Sequence, residues 1–470
     1  MDTSRLRNST VIVALDVPYG EDTGQSTLSV DKIAFNRPTT LLVAFDPEKP
    51  ILPSLPDFPD GGLRAWSVVI GALLMSFATF GWINSFGVFQ TYYQTNTFRD
   101  LSPSTVAWIG STQYGLVFIP ALFTGRLLDL GYYNGPLAIS SAIYITALFL
   151  VAECKTYTQF MLCQGVATGV GGHSRDHLEM SNLIKFFAGM IFGTCPAVVS
   201  HWFLRKRSQA YGVLAVGSSI GGTILPILAQ KLFDKVGFKW TIRITAFVLT
   251  LAVFAGNLLL RTRLPPSNVK GGLFNWAAFK NPAFTCCLIA YNLVLLGLFS
   301  PLIYLDLSGK AAGLSPNFTF YLISIANCSS LIGRLSSGIL ADRYGAMNTL
   351  IPTTLIGGLM SFAWPYVTSQ VAPLVVVTII YGCMTGTFIS LIPSTPARLG
   401  GMSDAGRRIG MAITASFFGA AVGPPLSGVI QTTSGGFKAV GFFSGGVVML
   451  GCILMIITRR LALGKWTGKF

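Results

Sequence analysis

The chain has 470 residues, of which 51% are hydrophobic and only 11% charged, with a mean hydropathy of +0.60. An average soluble domain carries about 25% charged residues, so this composition excludes an ordinary soluble enzyme and describes a membrane protein. The formal charge of +15 does not indicate nucleic acid, because the basic residues are scattered among loops rather than gathered on one soluble face.

In chain order, residues 1–64 are polar and rich in Pro, Asp and Thr, without the basic start and apolar core of a signal peptide. They are expected to form a disordered tail. From Trp66 to Ile457, apolar runs near the roughly 20 residues that cross a bilayer recur about twelve times. The expected layout is a bundle over 65–262, a central loop over 263–280, a second bundle over 281–458 and a tail over 459–470. With the N-terminus in the cytosol, the inner loops receive about twice as many Lys and Arg as the outer ones, which places both termini in the cytosol. The expected location is the plasma membrane. The eight cysteines fall mostly inside apolar runs with no paired spacing and are read as small core residues.

After the second span comes GRLLDLGYYN, with Gly125 and Asp129; after the eighth comes GILADRYG, with Gly338, Asp342, Arg343 and Gly345. Glycine lets helices approach closely, and an acid at a cytosolic turn can cap the next helix and hold a neighbouring arginine. These six residues are the candidate conformational motif. A second pair is RSQAYGVLAVGSSIGGTILP, with Gly212, Gly221 and Pro226, and RRIGMAITASFFGAAVGPP, with Gly410, Gly419 and Pro424. The internal steps are identical and each follows a basic loop, so the two halves read as repeats. The fold class that follows is an all-α polytopic membrane protein: about twelve helices in two six-helix bundles related by a pseudo-two-fold repeat.

The repeat offset is 213 residues for the first pair and 198 for the second. About 15 surplus residues therefore lie between Gly125 and Gly212. The polar stretch 172–188, which holds His173 and His177, interrupts the fourth span. Removing it joins QGVATGVG to GMIFGTCPAVVSHWF, a continuous glycine-rich span, as a retained intron would; the alternative is a looped-out insertion. The expected geometry over 172–188 is a loop or distorted turn, since a polar segment cannot lie unsatisfied in hydrocarbon.

GILADRYG resembles the loop motif of the major facilitator superfamily. DFPDGGLRAWSVVIGA and HWFLRKRSQAYGVLAVGSSIGG resemble first- and fifth-helix signatures of its monocarboxylate-porter family, fungal members included. The resemblance covers about residues 57–460 and implies a secondary transporter whose two bundles rock about a central site. Proton-coupled animal members carry a lysine in helix 1 and an Asp–Arg pair in helix 8; alignment on the flanking residues puts Asn84, Ser330 and Arg334 there. Only the arginine is retained.

Arg334 lies two turns before Asp342, roughly 12 Å inside the helix end, where a charge needs a wet cavity or a partner. A guanidinium grips a carboxylate through two parallel hydrogen bonds. Arg334, Asn84, Ser330, Asn292 and Tyr291 are the candidate substrate-binding residues. Gln113, Asn327 and Tyr381 read first as interhelical hydrogen-bonders. His173 and His177 have a metal-compatible spacing but no second ligand cluster, so no metal and no cofactor are expected. No nucleophile–base constellation suggests an enzyme. The expected partners are the lipid bilayer and a small, carboxylate-bearing molecule, with no nucleic acid; oligomeric state is not legible. The leading function is secondary transport of a small organic acid or metabolite, with efflux of a secondary metabolite as one form. The alternative is a non-transporting nutrient sensor, which the short central loop disfavours.

Overall fold

The computed structural model describes residues 58–101, 105–106, 109–110, 113, 117–163, 182–264, 272–400 and 404–470. Residues 1–57 of the expected tail, residues 172–181 of the suspect stretch, and both His173 and His177 lie outside them.

Among the described residues the regular structure is helical. The first half contains α1 (Leu63–Asn84), α2 (Phe86–Tyr92), α3 (Ala121–Asp129), α4 (Asn134–Val151), α5 (Tyr157–Cys163), α6 (Asn182–Ser200) and α7 (Arg207–Leu259). The short α8 (Trp276–Phe279) lies in the central loop. The second half contains α9 (Pro282–Ala311), α10 (Pro316–Tyr344), α11 (Ala346–Val367), α12 (Val371–Leu391), α13 (Ser394–Arg398), α14 (Ala405–Ala415), α15 (Phe417–Thr433) and α16 (Gly436–Leu463). Nine helical stretches among the described residues are long and apolar enough to cross a membrane. One of them, α7, is two spans joined at Gly237, whose φ of 73° and ψ of 174° break the helix. The shorter apolar helix Phe187–Ser200 adds a further apolar segment, and the nine-residue α3 ends at Asp129.

Hydroxyls within the spans bond to carbonyls one turn back, as Thr79 does to Met75 at 2.8 Å and Thr245 to Thr241 at 2.8 Å. Such bonds satisfy polar groups where no water is available. Residues 182–188, assigned above to a removable stretch, are not a loop: they form the first turns of α6. Their Leu-Ile-Lys-Phe-Phe-Ala run extends the apolar pattern of the fourth span, which a helix accommodates without a break.

The repeat reappears in the packing of its glycines. Gly221 lies against α1, where a Cβ on Gly81 would stand 2.7 Å from the Gly221 Cα; Gly419, its counterpart, lies against the Asn292 carbonyl of α9. Gly212 meets the Arg334 carbonyl of α10, and Gly410 meets the Ala121 carbonyl of α3. Equivalent glycines thus serve equivalent joints: one to the first helix of their own bundle, one across to the opposite bundle.

Replacing Gly221 by leucine should therefore lower the melting temperature of the purified protein, since overpacking a tight joint costs about 1–3 kcal/mol. Gly446→Ala, whose added Cβ meets nothing within 4 Å, should leave it unchanged; equal melting temperatures for both variants would contradict the joint.

Candidate functional site

At one end of the spans the bundles meet through two carboxylates. The first N–H groups of a helix have no partner within it, and at α7 and α14 they are buried between the halves. Asp342 accepts from the Ser208 N–H at 3.0 Å and the Gln209 N–H at 2.8 Å. Asp129, at the loop that follows the second span, accepts from the Arg407 N–H at 3.0 Å. Each carboxylate also meets the positive end of a helix dipole. Gly125 and Gly338 make this possible: a Cβ on Gly125 would strike the Gly406 carbonyl, and one on Gly338 would lie 2.7 Å from that of Ser208.

This corrects the expectation that each acid caps the next helix: both cap helices of the opposite bundle, because those are the helix starts whose N–H groups lie buried at the seam. Gly345, at φ 107°, ends α10 and begins α11. Arg343 stacks its guanidinium over Tyr344, 5.4 Å from the ring centre.

The two joints are braced differently. Beside Asp129, the buried Asp404 pairs with Arg407 at 3.5 Å and with Arg408, and accepts from Asn275 Nδ2 at 2.5 Å. Beside Asp342, the tail folds back: the Phe470 backbone oxygen accepts from the Met347 N–H at 3.1 Å, and Lys469 Nζ donates to the Asp342 carbonyl.

Inward from the joints lies a small cavity of about 30 Å³, room for roughly a water molecule or two. Its walls come from both halves and include Phe80, Phe118 and Phe192, with Phe80 4.4 Å from Phe192 and 5.9 Å from Phe118 between ring centres. Arg334 reaches it from α10 and spans the seam: one terminal NH group donates to the Ala215 carbonyl at 2.8 Å and to Ser218 Oγ at 2.6 Å, both on α7. Among the described residues it has no carboxylate partner. Three residues that line this cavity, Arg334, Tyr211 and Ser76, each carry a buried polar atom without a hydrogen-bond partner among the described residues: Nε, Oη and Oγ. An unsatisfied buried polar group costs about 1–3 kcal/mol, so three in one cavity suit a ligand or water that completes them.

Of the residues singled out from the sequence, Arg334 alone lines this cavity. Ser330, one turn away, meets Ser219 Oγ across the seam at 2.6 Å, whereas Asn84 donates to the Ser218 carbonyl at 3.5 Å within the first bundle. Asn292 bonds to the Gly419 N–H at 3.1 Å within the second bundle, and Tyr291 is packed edge-on to Phe388 there. Neither reaches the cavity. Tyr381 donates to the Leu298 carbonyl at 2.7 Å and Asn327 to that of Gly222 at 3.3 Å, as interhelical ties. Sequence reasoning missed Ser76, Tyr211 and the phenylalanines, which in apolar runs carry no mark separating a cavity wall from a lipid face. The two signature stretches come together: Asp60, at φ 47°, accepts from the N–H groups of Leu204 and Arg205 at 2.7 and 2.8 Å, and Trp66 packs on Phe203 at 5.3 Å.

A family model, the Major Facilitator Superfamily, matches residues 68–403. The chain belongs to this superfamily. It is 34% identical over 407 residues to the MFS transporter asaE of Aspergillus flavus, covering 86% of this chain and 88% of that protein. It is 34% identical over 426 residues to the aspyridones efflux protein apdF of Emericella nidulans, covering 90% and 83%. It is 32% identical over 407 residues to the fujikurins efflux protein of Gibberella fujikuroi, covering 86% and 84%. The solved structure of the human organic anion transporter MFSD10 (TETRAN) superposes with a TM-score of 0.63 at 15% identity, over 84% of this chain and all 100% of that one. That of the nucleoside transporter NupG gives 0.58 at 16%, over 84% and 99%. These two show the shared fold of this superfamily member.

Burial pushes the Asp129 carboxyl up to about 6 from 3.8; Asp404 adds to the shift, while the Arg407 N–H and the charges of Arg407 and Arg126 oppose it. A raised pKa means that the closed joint binds a proton more tightly than a hydrated Asp129 does. This contribution to the closed state is complete below about 3.8 and lost as pH rises through about 6. Hydrogen exchange of residues 405–411 should therefore slow between pH 7 and 5, after correction for intrinsic exchange, and Asp129→Asn should flatten that dependence. An unaltered pH profile in Asp129→Asn would remove Asp129 as its source.

Proposed function

We propose that this protein is a secondary active efflux transporter for a flat, oxygen-rich organic acid, such as a secondary metabolite carrying a carboxylate or acidic enol. The observation that carries this reading is that Arg334, Tyr211 and Ser76, each with a buried polar atom lacking a partner among the described residues, line one cavity with Phe80, Phe118 and Phe192. Donors suit an anionic or carbonyl oxygen, and aromatic walls suit a planar body. Relatives named as efflux proteins for aspyridones and for fujikurins support export. A non-transporting sensor is disfavoured, since the similar curated proteins are named as transporters or efflux proteins.

In this reading the cycle alternates between the bundles, with Gly125, Asp129, Gly338, Asp342, Arg343 and Gly345 forming the gate at the cytosolic end. Both termini face the cytosol, as the excess of inner basic residues favours, and the membrane is the plasma membrane. The contact of Asp60 with the loop after the fourth span supports the monocarboxylate-porter relationship, because it joins the two stretches that resemble that family. Binding of an acid at Arg334 competes with its bonds to α7, so cargo loosens the seam it occupies.

Arg334→Lys should lower flux about tenfold, the equivalent of ~1.4 kcal/mol, because an ammonium lacks the planar grip. Ser330→Asp should weaken an anionic cargo from one turn away. The measurement is export of aromatic or enolic acids, with neutral analogues beside them, from vesicles at matched protein content. Undiminished flux in Arg334→Lys would rule out recognition by the guanidinium; equal export of acids and neutral analogues would rule out an acidic cargo.

A further inference from the structure

Between the bundles, Leu273, Phe274, Trp276 and Phe279 gather on one side of a short element just before α9. Trp276 is 71% exposed and Phe274 41%, and the side chains stack on one another, Phe274 to Trp276 at 5.3 Å and Trp276 to Phe279 at 5.9 Å. Exposed aromatics of this size are costly in water. The opposite side of the element faces the protein: Ala278 packs against the apolar core of the second bundle, and Asn275 donates to Asp404 at 2.5 Å. The Gly272 carbonyl accepts from Arg407 at 3.3 Å.

We propose that Leu273–Lys280 is an interfacial foot. Its aromatic side inserts among the lipid headgroups at the end of the molecule where the bundles are latched, and Asn275 transmits that insertion to the Asp404 pairs at the start of α14. The occupant is the bilayer rather than a protein for three reasons. The element ends two residues before the span that begins at Pro282, so it stands at the height of the membrane boundary. Its exposed side continues the apolar exterior of α9, where Ile289 is 51% exposed. Tryptophan and phenylalanine beside an exposed lysine, Lys280, match the headgroup zone, where an apolar ring and a cation are both accommodated.

The connection to the joint is direct. Asp404 accepts from Asn275 while pairing with Arg407 and Arg408, and the Arg407 N–H is the group that Asp129 accepts. A foot withdrawn from the membrane takes Asn275 with it. Asp404 then loses one of its donors, and the first turn of α14 loosens.

The test uses the full chain in phosphatidylcholine–phosphatidylserine nanodiscs, with and without lipids brominated near the headgroup end of the acyl chains. The chain has eight tryptophans, so the Trp276 signal is the difference between wild type and Trp276→Phe. That difference should be quenched at least twofold by brominated lipid and little by aqueous acrylamide. Quenching by acrylamide as for free indole, with no response to brominated lipid, would overturn the proposal in favour of a water-facing surface for a soluble partner. For the coupling, Trp276→Asp should speed hydrogen exchange of residues 405–411 several-fold, Trp276→Tyr should not, and Asn275→Ala should abolish the sensitivity to Trp276→Asp. An undiminished effect of Trp276→Asp in the Asn275→Ala chain would refute the route through Asn275. None of these readouts depends on the cargo.

Discussion

The burial of two helix N-termini between the bundles is the constraint on which the rest of the molecule depends. A helix start presents N–H groups that need acceptors, and at the seam neither lipid nor a partner within the helix supplies them. Asp342 does so for α7 and Asp129 for α14, each from the other half. Satisfying the buried groups and holding the halves together is therefore one act, and parting the halves requires water to take over both sets of bonds. The glycines are part of the same constraint. A methyl group at Gly125 or Gly338 would strike the facing backbone and push the helices apart, stretching the carboxylate bonds beside it.

Arg334 extends this logic inward. Its guanidinium is divided: one terminal NH group is committed to α7 through Ala215 and Ser218, while Nε is buried without a partner among the described residues. A buried cation with no acid nearby is stabilised here by carbonyl and hydroxyl oxygens that belong to the moving partner. Any event that draws the guanidinium toward the cavity weakens its hold across the seam.

The repeat was legible because its signals are local: GILADRYG, the matched glycine and proline steps, and the basic loops before them need no knowledge of packing. The repeat pairs Asp129 with Asp342 and Gln209 with Arg407, but it does not show that each acid faces the opposite bundle. Helix periodicity hides it, because a small or acidic residue at a helix end looks the same whichever helix it faces. Tyr291 and Asn292 lie away from the cavity that Arg334 lines. A polar residue in an apolar run advertises a hydrogen bond, and its sequence does not say whether the partner is a ligand or, as for Asn292, the N–H of Gly419. The aromatic walls were illegible for a simpler reason. Phe418 is 70% exposed and Phe80 is 5%, yet both sit in runs of the same composition.

The two halves are alike in their latches and unlike in what stands behind them. Asp342 sits in a turn held by the tail, through Lys469 and the Phe470 backbone, which are close to the turn only because α16 ends beside α11. The joint at Asp129 rests on a buried cluster of Asp404, Arg407 and Arg408 tied to the central loop. Buried charges in such a cluster must keep their partners or become costly, whereas the tail contacts are made largely by backbone groups and an exposed lysine and can exchange with water. Internal symmetry sets where the halves touch, and the braces behind the two joints differ: one is a buried charge cluster that must keep its partners, the other a tail whose backbone and lysine contacts water can replace.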